Sequence, residues 1–107
     1  MKIYGIQNCD TMKKAFAALE AKQIAYEFHD YKKQGVPPGK LKEWAKRVGW
    51  PKLANTRGPT WRKIPDVEKA GLDEARALAL LEKYPSAIKR PVLEAGSSLI
   101  VGFDPGD

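Results

Sequence analysis

The 107-residue chain predicts an α/β fold, one mixed sheet covered by helices. Three observations carry this. Near the N-terminus an apolar run, a one-sided helical stripe and an aromatic run follow in the order strand, helix, strand. Near the C-terminus two short apolar runs are joined through Ala95-Gly96-Ser97, a hairpin signal. Between these parts the chain alternates helical stripes with Gly and Pro breaks, which places a run of helices at about residues 37–84 within a single domain spanning 1–107.

Each element follows from its residues. Ile3-Tyr4-Gly5-Ile6 reads as the first strand. Asp10 to Lys22 reads as an amphipathic helix, with Met12, Ala15, Phe16 and Leu19 at i, i+3, i+4, i+7. Tyr26 to Tyr31 alternates aromatic and polar residues and reads as the second strand. A helix between two strands makes a βαβ unit, whose strands run parallel. Gln34 to Gly39 is a loop, and Pro37-Pro38 suits the start of a helix. That helix carries Leu41, Trp44, Ala45 and Val48 on one face and stops at Gly49. Residues 50–64 read mostly as loop, with Pro51, Pro59, Arg57 and Arg62; a long irregular stretch of this kind is often functional. Pro65 to Ala70 is a short helix. A stronger helix follows, with Asp73 as N-cap and Glu74 in its first turn, ending before Pro85. Pro91 to Glu94 and Leu99 to Val101 form the antiparallel hairpin.

Composition excludes several function classes. A chain of this size buries a core without staples. One cysteine cannot close an internal disulfide, and one histidine beside it makes a poor metal-ligand set. No apolar run approaches the roughly 20 residues of a membrane span, and the N-terminus does not resemble a signal peptide. A soluble, cytoplasmic, monomeric chain is expected, with its thiol kept reduced. The net charge of +6 suits nucleic acid, an anionic small molecule or a solvated surface. The lysines are dispersed and no nucleic-acid-binding motif is visible, which argues against nucleic acid.

Cys9 is the residue that points to chemistry. It stands between the first strand and the first helix, where unpaired N–H groups and the helix dipole favour a thiolate. Lys13 and Lys14 add positive charge within about a turn. The alternative is a buried, inert cysteine, since free cysteine packs as a small apolar residue. Position and charge alone leave the two readings about even.

The run Tyr4-Gly5-Ile6-Gln7-Asn8-Cys9-Asp10-Thr11-Met12-Lys13-Lys14-Ala15 resembles the start of ArsC-like proteins, the glutaredoxin-linked arsenate reductase family. Phe28-His29-Asp30-Tyr31-Lys32, Arg57-Gly58-Pro59-Thr60-Trp61-Arg62-Lys63 and Ile88-Lys89-Arg90-Pro91-Val92-Leu93 resemble its small YffB-like branch. Leu99-Ile100-Val101-Gly102-Phe103 completes the pattern. The resemblance implies a thioredoxin-like fold, βαβ plus ββ, with a helical insertion. It implies that Cys9 is the nucleophile, that Arg57 and Arg90 converge on its thiol, and that Pro91 is the cis-proline beside it. An arginine offers a planar fork of donors suited to an oxyanion or carboxylate. Substrate-binding roles would fall to Asp10, Thr11, Lys13 and Pro91, although helix capping is the simpler account of Asp10 and Thr11. His29 reads as structural rather than as a general base, and Trp44 and Trp61 read as packing residues.

The chain departs from the family in two respects. The last strand lacks the further arginine of the arsenate reductases proper, which leaves the anion cradle incomplete. Met12 occupies the second cysteine position of the related Spx regulators, so no dithiol switch is available. The family pattern also extends into a terminal helix beyond the Gly-Phe pair. The expectation is a monothiol reductase of small anionic or disulfide substrates, with glutathione as co-substrate and neither metal nor prosthetic group. The alternative is an Spx-like binding module that contacts RNA polymerase or nucleic acid.

Overall fold

A computed structural model describes residues 1–7 and 9–102. Asn8 of the first motif and Phe103 of the last lie outside the described residues. The chain divides into two compact units. One comprises Met1–Gly35 and the chain from Arg90 onward, and the other is Val36–Lys89.

The first unit is the sheet unit. It contains β1 (Lys2–Gly5), α1 (Asp10–Ala21), β2 (Glu27–Asp30), α2 (Tyr31–Gln34), β3 (Val92–Ala95) and β4 (Ser98–Val101). The strands form one mixed sheet in the order β2-β1-β3-β4. β1 pairs parallel with β2 and antiparallel with β3, and β3 pairs antiparallel with β4. The βαβ-plus-hairpin reading is therefore what the chain adopts, with one local difference. Tyr31 does not continue the second strand. The strand stops at Asp30, whose carboxylate accepts the Lys32 N–H at 2.9 Å and starts a short helix there. Asp30 is buried, so the cap is made in a setting where an unmet backbone donor would be costly.

Register assigns the side chains to faces. Ile3 lies opposite Phe28 and Leu93, so these three share one face; Tyr4, opposite His29 and Val92, lies on the other. The first face is apolar. Ile3, Leu93 and the α1 stripe of Met12, Ala15 and Leu19 form its buried cluster, with Phe16, Tyr26 and Phe28 packed alongside. Phe16 stacks on Tyr26 and meets Phe28 edge-on, with centroids 5.4 and 5.0 Å apart.

The second unit is helical: α3 (Lys40–Val48), α4 (Trp50–Leu53), α5 (Pro59–Lys63), α6 (Asp66–Lys69) and α7 (Glu74–Lys83), followed by a 3-10 turn at Pro85–Ala87. α3 buries Leu41, Trp44 and Ala45, and α7 buries Ala77, Leu80 and Leu81. Trp61 is buried as well, so both Trp44 and Trp61 pack as expected. Asp73 caps α7 by accepting the Arg76 N–H at 2.8 Å. Residues 50–64 differ from the loop expected of them. They hold α4 and α5, and Ala54 bridges Ile88 in antiparallel fashion. Both helices carry proline in their first turn, where its missing N–H has no helical partner to lose. The prolines therefore start helices here rather than break them.

One close approach ties strand to helix. A Cβ built on Gly5 would stand 2.5 Å from the Met12 sulfur and 2.7 Å from its methyl carbon. Met12 is fully buried, so it has little room to yield. Gly5→Ala is expected to destabilise the protein by about 1–3 kcal/mol. Urea unfolding should show this as a lower midpoint at constant slope. In combination with Met12→Ala the two costs should be less than additive.

Candidate functional site

Cys9 is the residue on which α1 starts. It is the N-cap, in extended conformation (φ −145°, ψ 129°), and its carbonyl accepts the Lys13 N–H at 3.0 Å. Its own N–H donates to the Gln7 carbonyl at 3.1 Å. The thiol is half-buried, packs against the α1 cluster and makes no capping hydrogen bond. This corrects the capping account of Asp10 and Thr11. They are the first two helical residues, one exposed and one half-buried, while the cysteine itself holds the cap position. The cap side chain thus takes none of the N–H groups of the first turn. Asp10 places its carboxylate in that turn, and Lys13 is exposed one turn in.

Sheet topology brings a second group to the same place. β1 ends toward Cys9, and Tyr4 near that end is the partner of Val92 at the start of the antiparallel β3. Arg90 and Pro91 immediately precede Val92. The Cys9 segment and the Arg90–Pro91 step therefore lie at one end of the sheet. Arg90 is half-buried, Pro91 is buried, and their peptide bond is cis. The Pro91 carbonyl accepts the Gly102 N–H at 2.8 Å, which fastens the step to the end of β4.

Arg57 belongs to the helical unit. It is exposed and occupies the third position of a turn in which the Gly58 N–H donates to the Asn55 carbonyl at 3.1 Å. The turn is anchored by the Asn55 N–H on the Ala87 carbonyl at 2.8 Å and by the Lys89 N–H on the Leu53 carbonyl at 2.7 Å. Asp10, Thr11, Lys13, Arg90 and Pro91 are thus in the unit that holds Cys9, and Arg57 is in the other.

Four residues on the second face of the sheet unit were not singled out as a cluster by the sequence. The Tyr4 hydroxyl donates to Glu94 at 2.6 Å. Tyr31 stacks on Tyr4 and meets His29 edge-on, with centroids 6.4 and 6.0 Å apart. The His29 Nε2 lies 2.7 Å from the Gly35 carbonyl, which makes this nitrogen the donor and gives the ring the structural role expected of it. Burial pushes the Tyr31 phenol far above its ordinary value, Tyr4 and Glu94 push the same way, and Arg90 acts against them. Tyr4 and Glu94 are 90 positions apart, and no sequence pattern pairs them; period-2 alternation, which places Tyr4 and His29 on one face of adjacent strands, was the available signal.

Among the described residues no group of three or more His, Cys, Asp or Glu is placed to hold a metal ion. No described helix is long and apolar enough to cross a membrane.

A βαβ unit joined to a ββ hairpin, with a cysteine at the first helix N-cap and a cis-proline opening the third strand, defines a thioredoxin-like protein. The model of the ArsC family matches residues 4–107, and the chain belongs to that family. A Haemophilus influenzae protein described as uncharacterized is 37% identical over 102 residues, covering 95% of this chain and 90% of that one. Among solved structures, a protein named YffB is 48% identical with a TM-score of 0.93, over 98% of this chain and 92% of that one. An arsenate reductase-related protein from Brucella melitensis is also 48% identical, with a TM-score of 0.81 over 98% of this chain and 88% of that one.

The Arg57 turn has little tolerance. A Cβ on Gly58 would stand 2.6 Å from the Asn55 side-chain nitrogen and 3.3 Å from the Asn55 carbonyl oxygen. The side chain can rotate away, but the carbonyl belongs to the turn itself. Gly58→Ala is expected to cost about 1–3 kcal/mol. Amide hydrogen exchange should speed up at Asn55 and Gly58 while the α1 amides keep their protection.

Proposed function

We propose that the protein is a monothiol reductase that uses Cys9 as nucleophile and glutathione as co-substrate. The observation that carries this reading is the cysteine at the N-cap of α1, with its thiol free of capping duty, at the sheet end where Arg90 and Pro91 open β3. Membership of the ArsC family supports it. So does its similarity to the Brucella melitensis protein related to arsenate reductase.

The reaction needs only thiol–disulfide exchange. The Cys9 thiolate attacks one sulfur of a mixed disulfide between a substrate thiol and glutathione. The new bond joins Cys9 to the glutathionyl sulfur, and the substrate thiolate leaves and takes a proton from solvent. A glutathione thiolate then attacks the Cys9 adduct. Oxidised glutathione departs, and the Cys9 thiolate is restored. A second protein cysteine is not required, which suits a chain that has one.

Arg57 and Arg90 supply positive charge and forked donors for the anionic groups of glutathione or substrate. Asp10, Thr11, Lys13 and Pro91 complete the binding residues, with the first-turn N–H groups of α1 as further donors. The last strand, Ser98–Val101, carries no basic residue. Arsenate turnover is accordingly weak or absent, because a compact oxyanion needs more charge than a carboxylate does. The helical insertion serves as the carrier of Arg57 within a single functional domain.

Cys9→Ser should abolish reductase turnover, since a serine hydroxyl is not ionised near neutral pH. Arg57→Ala and Arg90→Ala should each lower kcat/KM by about 10- to 150-fold, the loss of one charged hydrogen bond. Both should also slow Cys9 alkylation by iodoacetamide at neutral pH. Alkylation that is equally slow in the parent and both variants, with no turnover, would exclude the enzyme and leave an Spx-like binding module as the reading.

A further inference from the structure

We infer that the helical unit carries the docking surface for the thiol partner of Cys9, and that this partner is an acidic protein bearing glutathione on a cysteine. The inference rests on the reductase reading and names the substrate class of the same site.

The two units do not share the charge of the chain. Val36–Lys89 holds 12 of the 19 lysines and arginines but only 6 of the 13 aspartates and glutamates. The sheet unit holds 7 of each, so the whole net charge of +6 belongs to the helical unit. Within that unit the charges are sorted again. Residues 44–65 contain Lys46, Arg47, Lys52, Arg57, Arg62 and Lys63, all exposed, and no acidic residue. Most of the unit's acids follow this stretch, and there two lysines are paired. Lys69 meets Asp66 at 3.9 Å and Lys83 meets Glu68 at 2.7 Å. Among the described residues Lys46, Lys52 and Lys63 form no ion pair.

The stretch turns its apolar side inward, with Leu53, Ala54, Trp61 and Ile64 buried, and its cations to solvent. The Lys89 N–H bonds the Leu53 carbonyl, which brings a further exposed lysine beside Lys52. Solubility alone does not call for this arrangement, since a solvated surface mixes both signs. Like charges gathered without acids raise a local positive potential that draws in a polyanion.

The chemistry of Cys9 decides which polyanion. Its thiolate takes the glutathionyl group, and the partner's thiolate leaves and takes a proton from solvent. The partner must therefore bring a sulfur, which a nucleic acid does not. The helical unit also offers no exposed ring for bases: Trp44 and Trp61 are buried, and Trp50 and Tyr84 are half-buried. A small disulfide meets one or two of these cations, whereas an acidic protein surface meets several at once. Cys9 belongs to the other unit. Because the units are covalently joined, a partner held on one is kept at high effective concentration for the thiol on the other.

The test uses two synthetic peptides of equal length, each with one glutathionylated cysteine. Glutamates flank it in one and lysines in the other. The mixed disulfide of cysteine and glutathione is the small substrate. With the full chain, kcat/KM for the glutamate peptide should exceed that for the lysine peptide about tenfold at low salt. The gap should close as salt rises. Lys46→Glu, Lys52→Glu and Lys63→Glu together should abolish the preference and leave kcat/KM for the small disulfide unchanged. The corresponding glutamine variant should lose part of the preference, which keeps the result readable if the charge reversal fails to fold. Equal rates for the two peptides overturn the inference while the reductase reading stands. So does a loss in the variants that extends equally to the small disulfide. If no probe is turned over, the reductase reading fails on its own. Binding of the fluorescein-labelled glutamate peptide to the Cys9→Ser chain then decides. Saturable binding that is lost on charge reversal supports the docking surface, and no binding overturns it. A short DNA duplex that binds this chain more tightly than the glutamate peptide at the same salt makes the surface one for nucleic acid and overturns the inference too.

Discussion

The approach of α1 to the end of β1 is the contact on which the site depends. Gly5 has no Cβ, and Met12 fills the space a Cβ would take. Met12 lies within the first turn of α1, three residues after Cys9. The same contact that closes the core therefore sets how far the helix start stands from the end of the central strand. Ile3 and Leu93 beneath, with Ala15 and Leu19 further along the helix, make that distance a property of the whole apolar face. A side chain at a helix cap on a loose loop would sample many positions. Here the cysteine is carried by two packed elements, which is what a nucleophile needs if its neighbours are to act on it.

The two faces of the sheet divide the labour. The α1 face is apolar and supplies burial. The other face holds Tyr4, His29, Val92 and Glu94 in register, with Tyr31 stacked at its end. Two polar groups there are matched, Tyr4 with Glu94 and His29 with Gly35. A sheet with one dry face and one face of aromatic rings bearing polar tips keeps its strands rigid while presenting hydrogen-bonding groups at its edge. The strand ends that carry Cys9, Tyr31 and Arg90 all lie at one end of that sheet, the usual place for chemistry in folds built on parallel β-α-β units.

Much of this was legible in the sequence, and the exceptions have physical causes. β1, β3 and β4 were readable as short apolar runs and β2 by its aromatic alternation, α1 and α3 because their stripes repeat at the helical period, and α7 by its Asp73 cap and the stop before Pro85. α4 and α5 were not, because four or five residues are too few to show a period and their prolines resemble breaks. Tyr31 follows an aromatic alternation and so reads as strand. The Asp30 carboxylate, by capping Lys32, turns the chain into a helix one residue earlier. The position of Cys9 was evident as a strand-to-helix junction, yet its standing as the cap itself was not, since cysteine is an uncommon cap and Asp10 and Thr11 beside it are common ones. The Gly5–Met12 approach and the Tyr4–Glu94 bond depend on three-dimensional distance alone, and nothing along the chain announces them.

The proposed function requires Cys9 to be a working thiol whose adduct is resolved from outside the chain. Mass spectrometry after incubation with oxidised glutathione, followed by peptide mapping, tests it most directly. One glutathionyl group per chain is expected, located on Cys9, removed by reduced glutathione and formed more slowly in Arg90→Ala. An unmodified Cys9 in the folded protein, under conditions where the unfolded chain is modified, would contradict it.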